Sequence, residues 1–205
     1  YTLRVTVTAN GTADTAEQRI GIRTIQVSSK TGLLLNGQPR TMKGGCIHHD
    51  LGILGSADHA AAERRRIRLM KESGFDAIRA AHNPFGPAFL DACDELGMLV
   101  VEEAFDEWVM GRTSFGLHVT FEQCWEKDLE DMITRDYNHP CIVMWSTGNE
   151  VEERDGTADG FAWAKRLANK VRSLDASRPV SATACALFSE YGNRPAGGTT
   201  GTPAP

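Results

Sequence analysis

The chain has 205 residues, of which 41% are hydrophobic and 24% are charged. This composition is that of an ordinary globular protein with one domain or slightly more, and it excludes a disordered or fibrous chain. The formal net charge of −5 argues against nucleic acid as a partner, because nucleic-acid-binding proteins usually present a basic face. Three arginines at 64–66 form the single basic cluster, which reads as the solvated face of a helix. No stretch approaches the roughly 18 apolar residues of a membrane span. From the charge and from this absence together, we expect neither a nucleic acid nor a membrane as partner.

The cysteines show no metal-binding or disulfide pattern. An odd number at wide spacing, without any Cys-x-x-Cys pair, predicts neither a zinc site nor a disulfide framework, so we expect buried free thiols. They are Cys46, Cys93, Cys124, Cys141 and Cys185. The N-terminus lacks a signal-peptide pattern, but residue 1 already opens a strand pattern, so the compartment stays undecided between cytoplasmic and secreted.

Two alternating patterns at the start of the chain predict antiparallel strands. Leu3, Val5 and Val7 alternate with polar residues, and a second alternation runs through 20–27. Two half-buried strands are too few for a stable sheet. We therefore assign 1–28 to the last strands of a β-sandwich that begins upstream.

A tight hairpin is expected immediately after this region. Asn36 and Gly37 tolerate the positive φ angles of a two-residue turn. They lie between the apolar residues 33–35 and a second segment at 40–42. We interpret this hairpin as the junction between two domains.

From about residue 42, short apolar strands alternate with amphipathic helices, which is typical of βα units and a parallel sheet. A closed barrel needs eight units and roughly 250 residues. The fold class is thus predicted as α/β, with 29–191 supplying about five units of a partial (β/α)8 TIM barrel. Residues 192–205 are rich in Gly, Thr and Pro and are expected to form a disordered tail. The five predicted strands are 42–47, 76–80, 98–103, 142–146 and 179–183.

Four helices are expected between these strands. Asp58 is expected to cap the first, Pro87 to begin the second, and Thr120 with Gln123 to form a capping box on the third. The fourth is expected over 159–174. Its buried stripe should consist of Phe161, Ala164, Leu167 and Val171.

Polar side chains concentrate where the predicted strands end. In a parallel barrel these ends meet at the face where functional groups gather. Carboxylates, imidazoles, a guanidinium and an indole suit a polyhydroxylated ring, whose hydroxyls form hydrogen bonds and whose C–H face stacks on an aromatic side chain. The residues are His48, His49, Asp50, Arg79, His82, Asn83, Glu102, Glu103, Asp106, Trp108, Asn149 and Glu150.

Most of these residues also have a structural interpretation. Asn149 could cap the next helix with Glu150 in its first turn, and spacing alone favours this over catalysis. His48 and His49 could equally be hydrogen-bonded structural histidines. Two tryptophans on apolar faces, Trp125 and Trp145, are expected in the core.

The charged residues of the second and third strands leave similar alternatives. Arg79 could form an internal ion pair with Glu103 or with Asp76. Since Glu102 and Glu103 are adjacent in a strand, only one of them can face the barrel interior.

Four motifs together resemble family 2 glycoside hydrolases. They are Lys-Gly-Gly-Cys-Ile-His-His-Asp at 43–50, Arg-Ala-Ala-His-Asn-Pro at 79–84, Phe-Leu-Asp-Ala-Cys-Asp-Glu-Leu-Gly at 89–97 with Val-Val-Glu-Glu at 100–103, and Asn-His-Pro-Cys-Ile-Val-Met-Trp-Ser-Thr-Gly-Asn-Glu at 138–150. The resemblance covers about 1–190. It implies a sugar-binding sandwich, an immunoglobulin-like domain and then a (β/α)8 barrel, which would make 1–28 immunoglobulin-like strands.

The resemblance also implies roles for individual residues. Glu150 matches the general acid/base, and Asn149 matches the amide that holds the sugar's 2-hydroxyl. Asp50 stands where the motif often has glutamate. With this residue, the sequence Cys-Ile-His-His-Asp-Leu-Gly resembles the β-galactosidase branch more than the β-glucuronidase branch. The other implied substrate-binding residues are His49 and His82 near the sugar, Arg79 bracing the carboxylates, and Asp106 and Trp108 walling the pocket.

The chemistry implied by the resemblance is double displacement with retention, acting on terminal β-galactosides. The family's nucleophile is a glutamate on the seventh strand, and Glu102, Glu103 and Glu190 match no nucleophile motif, so we expect the isolated chain to be inactive. Alternatives are a β-glucuronidase, a β-mannosidase or a noncatalytic carbohydrate-binding barrel. No cofactor is predicted. Some relatives use a cation near the acid/base, but no ligand set is complete here, and the resemblance leaves a homo-oligomer open.

Overall fold

A computed structural model describes residues 1–183. The barrel part of these residues contains five strands, all parallel, whose order across the sheet follows their order in the chain. The sequence-based expectation of a partial TIM barrel is confirmed. The strands are β6 (Gly44–Ile47), β7 (Ala77–Ala80), β8 (Leu99–Glu103), β9 (Ile142–Asn149) and β10 (Val180–Thr183). Between them lie the helices α1 (Ala60–Glu72), α2 (Pro87–Leu96), α3 (Phe121–Asp136) and α4 (Gly160–Leu174).

The first strands of the chain pair differently from the expectation. β1 (Thr2–Ala9) pairs with β2 (Thr12–Arg19) and not with 20–27. The reason is the turn at Asn10 (φ 51°) and Gly11 (φ 76°), since a two-residue hairpin turn fixes the register of its strands. Both strands are exposed along their whole length, so the expectation of half-buried strands was also wrong.

The second hairpin forms at the expected turn, where Asn36 (φ 52°) and Gly37 (φ 73°) both take left-handed conformations. Its strands are β4 (Gly32–Leu35) and β5 (Gln38–Pro39), with β3 (Ile25–Ser28) on the other side of β4. The returning strand is therefore shorter than expected and precedes 40–42. Assignment of 1–28 to an immunoglobulin-like domain stays a prediction, and the tail 192–205 lies outside the described residues.

Helix α2 begins and ends as expected, whereas two expected caps do not form. Pro87 occupies the first turn of α2, and Gly97 ends it in a left-handed conformation (φ 67°). His59, not Asp58, precedes α1, and it makes no side-chain cap. Thr120 makes no capping box because its hydroxyl lies against the carbonyl of Leu117 in the preceding 3-10 turn.

The core lies between the helices and the outer face of the parallel sheet. Trp145 is fully buried in it, as expected, while Trp125 is half-buried and packs edge-on against Trp163, with ring centroids 5.8 Å apart. Phe161 is 71% exposed and does not join the stripe of α4. The buried positions of α4 are Gly160, Trp163, Leu167 and Val171. The last three repeat every four residues, and a residue two positions before Trp163 faces the opposite side.

The expectation for the cysteines holds in part. The described cysteines, Cys46, Cys93, Cys124 and Cys141, are free thiols, but only Cys93 and Cys141 are buried. Cys46 is exposed because it points away from the helices, toward the inner face of the sheet. Cys185 lies outside the described residues. No helix in the described part of the chain is long and apolar enough to cross a bilayer.

A buried cluster of hydrogen-bonded polar side chains joins β9 to the turn before β10. The carboxylate of Asp175, 1% exposed, accepts hydrogen bonds from the Trp145 indole (2.8 Å), the Arg178 guanidinium (2.5 Å) and the Ser177 amide (2.7 Å). Burial opposes the charge, but the hydrogen bonds from Ser177, Trp145 and Arg178 lower the pKa of Asp175 from 3.8 to about 2. This cluster therefore depends on an ionised Asp175 carboxylate.

Replacing Asp175 by Asn is expected to lower the free energy of unfolding at pH 7 by about 2 kcal/mol or more, because the charge linkage is lost and Arg178 keeps an unpaired buried charge. A depressed pKa contributes stability above pH 3.8 that is lost as the pH falls toward 2. The difference between variant and wild type should therefore shrink over that range. Urea unfolding measures it, with the exposed Asp131→Asn as control; an equal difference at pH 7 and pH 3 contradicts the prediction.

Candidate active site

The carboxyl ends of the parallel strands bring six of the expected residues together. Arg79 comes from β7, Glu103 from β8 and Asn149 from β9, while the others lie on the loops that follow these strands. This convergence follows from parallel pairing, because neighbouring strands end at the same edge. The six residues are Arg79, His82, Glu103, Asp106, Asn149 and Glu150.

Glu103 is the centre of this cluster, and its side chain is fully buried. Its carboxylate accepts hydrogen bonds from Arg79 Nη2 (2.7 Å) and Nε (3.1 Å), and from the Ser146 hydroxyl (2.6 Å). Nδ1 of His82 lies 2.8 Å from its second oxygen. Three strands and one loop therefore converge on a single carboxylate.

Arg79 links this carboxylate to the end of β9. Burial acts to lower its pKa, but the hydrogen bonds and charge of Glu103 outweigh burial and raise the pKa above its ordinary value. Its Nη2 also donates to Oδ1 of Asn149 (2.8 Å). Of the two partners considered for Arg79, the structure selects Glu103 over Asp76, which instead pairs with Arg40.

Asn149 is held from both sides of its amide group. Its Oδ1 accepts from Arg79, and its Nδ2 donates to Oδ1 of Asp106 (2.9 Å). It is the last residue of β9, and the following 3-10 turn begins after Val151 without a side-chain cap. The interpretation of Asn149 as a helix cap is therefore wrong.

Glu150 follows Asn149 in a left-handed conformation, with φ at 45°. Its side chain is 44% exposed, and Oε2 lies 4.0 Å from Nη1 of Arg112. A non-glycine residue rarely takes this conformation, which turns the chain sharply at the strand end. The result is an accessible carboxylate directly beside the fixed amide of Asn149.

Trp108 lies under this strand end and is only 2% exposed. Its indole nitrogen donates to the carbonyl of Thr147 (2.8 Å), and a Cβ added to Gly148 would lie 2.7 Å from that nitrogen and 2.9 Å from Val151. The structure thus gives Trp108 a supporting position. A direct role for it in binding substrate stays a prediction.

The loop after β6 places its two histidines differently. The His49 ring stacks on Phe85 with centroids 3.9 Å apart, and its Nε2 is buried without a hydrogen-bond partner. The His48 ring instead contacts the edge of His82, with centroids 4.9 Å apart. Asp50 is exposed and accepts from the amide of Gly52 (2.8 Å). His48 is therefore nearer to the cluster than His49.

Arg66 of helix α1 holds this loop in place. Its Nη1 donates to the carbonyls of His48 (3.0 Å) and Asp50 (3.2 Å), and its guanidinium is paired with Glu63 (2.6 Å). The arginine cluster at 64–66 is therefore only partly a solvated face. Sequence reasoning missed this role because helical spacing does not reveal which arginine turns inward.

A cavity of about 470 Å³ opens beside the cluster. It lies between the loops that follow β7 and β8 and the side of α3. His82 and Asp106 belong to both the cluster and the cavity. Its other lining residues include Asn83, Phe105, Met132 and Arg135.

Within the described residues, one group has metal-ligand geometry, and it lies at the other end of β9. It consists of Asp94, His139 and Cys141. Asp94 is occupied by the His139 ring (2.7 Å) and the Cys141 amide (2.9 Å), and burial raises the pKa of the Cys141 thiol well above its ordinary value. The arrangement is accounted for as a hydrogen-bonded anchor.

Residues 25–191 match the family model described as "Glycosyl hydrolases family 2, TIM barrel domain". A β-galactosidase from Bacteroides ovatus is 37% identical over 80% of this chain, and a putative β-glucuronidase from Formosa agariphila is 38% identical over 72%. A solved structure of a family 2 glycosyl hydrolase member from Bacteroides cellulosilyticus has a TM-score of 0.85 at 42% identity, covering 90% of this chain and 24% of that one. The chain spans 23% and 14% of the length of the two curated relatives.

Replacing Glu103 by Gln is expected to lower the free energy of unfolding by about 3 kcal/mol or more, because it leaves the half-buried charge of Arg79 without its partner. Urea unfolding measures the change. Glu126→Gln, which removes an exposed partner of Lys170, is the control and should cost no more than about 1 kcal/mol. The double change Arg79→Met with Glu103→Met should recover part of the loss. The prediction is contradicted if Glu103→Gln is as stable as the control Glu126→Gln.

Proposed function

Because the chain belongs to glycosyl hydrolase family 2, we propose that the protein is a retaining exo-β-glycosidase in which Glu150 is the general acid/base. The observation that carries the proposal is the accessible carboxylate of Glu150 beside Asn149, whose amide is fixed by Arg79 and Asp106. A protonated carboxyl group at this point can reach a glycosidic oxygen. The proposal concerns the complete gene product, of which this chain supplies part of the site.

The proposed reaction proceeds in two displacements. In the first, a carboxylate attacks the anomeric carbon while Glu150 donates its proton to the departing oxygen. In the second, Glu150 removes a proton from a water molecule as that water attacks the glycosyl-enzyme and releases the first carboxylate. Asn149 is proposed to hold the 2-hydroxyl of the sugar during both steps.

The attacking carboxylate is proposed to come from outside residues 1–183. Glu103 is occupied by Arg79, His82 and Ser146, so it is not free to attack. Glu102 lies on the helix side of the sheet, where it accepts from the amide of Phe85 (2.7 Å). Glu190 lies outside the described residues.

Terminal β-galactosides are the proposed substrates. The β-galactosidase from Bacteroides ovatus and the residue at Asp50 support this choice. A β-glucuronidase is the first alternative, because the Formosa agariphila relative carries that name, and a β-mannosidase is the second. A panel of aryl glycosides that share one leaving group and differ in the sugar decides among them.

A noncatalytic carbohydrate-binding barrel is the alternative from another class. The gene sequence downstream of residue 205 discriminates it from the enzyme. A further barrel strand ending in a glutamate favours the enzyme, whereas a stop codon there favours the noncatalytic protein.

Glu150→Gln is expected to lower kcat/KM of the complete gene product by about 10²- to 10⁴-fold on substrates with poor leaving groups, because the amide cannot donate a proton. The loss should be smaller for activated aryl leaving groups, which depart without protonation. Steady-state kinetics with both substrate types measures this.

The matched control for this variant is Glu152→Gln, since Glu152 is two residues away and pairs with Arg154 at 3.4 Å. It should retain activity. Azide should restore turnover to Glu150→Ala by replacing the water that needs a base. Unchanged activity of Glu150→Gln on both substrate types rules out the proposed role.

The isolated 205-residue chain is expected to show no turnover of aryl glycosides. Within the described residues, β6 and β10 are the edges of the parallel sheet, and unpaired edges favour association. Size-exclusion chromatography and an activity assay, beside the complete gene product, measure both effects. A monomeric chain that hydrolyses the substrates contradicts the expectation.

A further inference from the structure

The loop between β8 and α3, residues 104–120, places the side chain of Arg112 beside Glu150. Nη2 of Arg112 donates to the carbonyl oxygen of Asp106 (2.7 Å) and to its carboxylate. Nη1 lies 4.0 Å from Oε2 of Glu150. The side chain is 28% exposed, so the guanidinium is partly withdrawn from solvent. No feature of the sequence identified this residue.

Two buried glutamates fix the loop that carries Arg112. Glu107, 5% exposed, accepts hydrogen bonds from the amides of Arg112 (2.9 Å) and His118 (3.1 Å). Burial acts to raise its pKa, but these bonds and the His118 ring lower the pKa below its ordinary value. Glu153, 1% exposed, accepts from the amide of Met110 (2.6 Å) and ties the loop to the segment after Glu150.

Asp106 fixes one edge of the guanidinium, and Nη1 lies on the side of Glu150. Asp106 occupies both hydrogen bonds recorded for Nη2, and Asp106 is itself held by Asn149. The planar fork of arginine then directs Nη1 toward Glu150. A lysine ammonium has no such plane, so it could supply the charge but not both contacts at once.

We propose that Arg112 is a positioning residue that orients the Glu150 carboxylate and eases the release of its proton to the leaving oxygen. This inference rests on the proposed function of Glu150. The cation favours the carboxylate form that Glu150 reaches when the C–O bond breaks and its proton moves to the leaving group. In the second step the same carboxylate accepts the proton of water, and Arg112 keeps it in place.

The other charged groups around Glu150 do not substitute for Arg112. Arg79 is paired with Glu103, and His82 also contacts Glu103. Asp106 is negative and bound by Arg112 itself. On the segment after Glu150, Glu152 pairs with Arg154, and Glu153 is buried. Within the described residues, Arg112 is therefore the cation that acts on Glu150 directly.

The test is the pH dependence of kcat/KM for Arg112→Gln and Arg112→Lys in the complete gene product. The alkaline limb of kcat/KM reports the pKa of the general acid in the free enzyme. A neighbouring cation favours the ionised form of a carboxyl group, so its removal in Arg112→Gln should displace this limb toward higher pH. Arg112→Lys should leave the limb near its wild-type position.

The leaving-group dependence gives a second readout. At the pH optimum, Arg112→Gln should lower kcat/KM by about 10-fold on substrates with poor leaving groups and by less on activated ones, because only the former need the proton. Arg172→Gln, an exposed position on α4, is the control and should match the wild type. Circular dichroism verifies that each variant is folded.

The outcomes separate this inference from the function on which it rests. If Glu150→Gln loses the alkaline limb while Arg112→Gln leaves it in place, the role of Arg112 is wrong and that of Glu150 stands. If Glu150→Gln itself keeps the wild-type profile, the proposed function fails. An Arg112→Gln variant with equal losses on both leaving groups and an unmoved limb has only a structural defect, which also overturns the inference.

Discussion

The ion pair between Arg79 and Glu103 is the interaction on which the site depends. A fully buried carboxylate is costly unless it is paired and hydrogen-bonded, and Glu103 is held by Arg79, Ser146 and His82. Nη2 of Arg79 also donates to Asn149, so the amide beside Glu150 is oriented by a charge two strands away. A change at this pair reaches the ends of β7, β8 and β9 together.

Glu102, the neighbour of Glu103 in β8, lies on the opposite face of the strand and in a different environment. Glu102 points toward the helices, where one oxygen accepts from the Phe85 amide and the other has no partner. Burial raises the pKa of Glu102 well above its ordinary value, because desolvation opposes the charged form. Alternation along β8 thus places Glu103 at the site, where it is paired with Arg79, and Glu102 behind it, where it holds Phe85, on which His49 stacks.

Sequence reasoning recovered what periodicity and strand ends determine. The five parallel strands, the start of α2 at Pro87 and the convergence of Arg79 with Asn149 follow from local patterns and from the parallel topology. It failed where a competing local interaction decides, as at the Asn10 turn that pairs β1 with β2. Arg112 was not predictable, because its place beside Glu150 depends on how a long loop folds around Glu107 and Glu153.

The conformation of Glu150 connects packing below the site to chemistry within it. A non-glycine residue at φ 45° costs about 1 kcal/mol or more and persists only where its surroundings enforce it. Trp108 and Val151 close on Gly148 directly below, leaving no room for a side chain there. The buried Trp108 indole is held in this position by its hydrogen bond to the Thr147 carbonyl. The direction of the Glu150 side chain therefore depends on packing below the strand end. This is why the sequence pattern at the strand ends could nominate Glu150 but not account for its orientation.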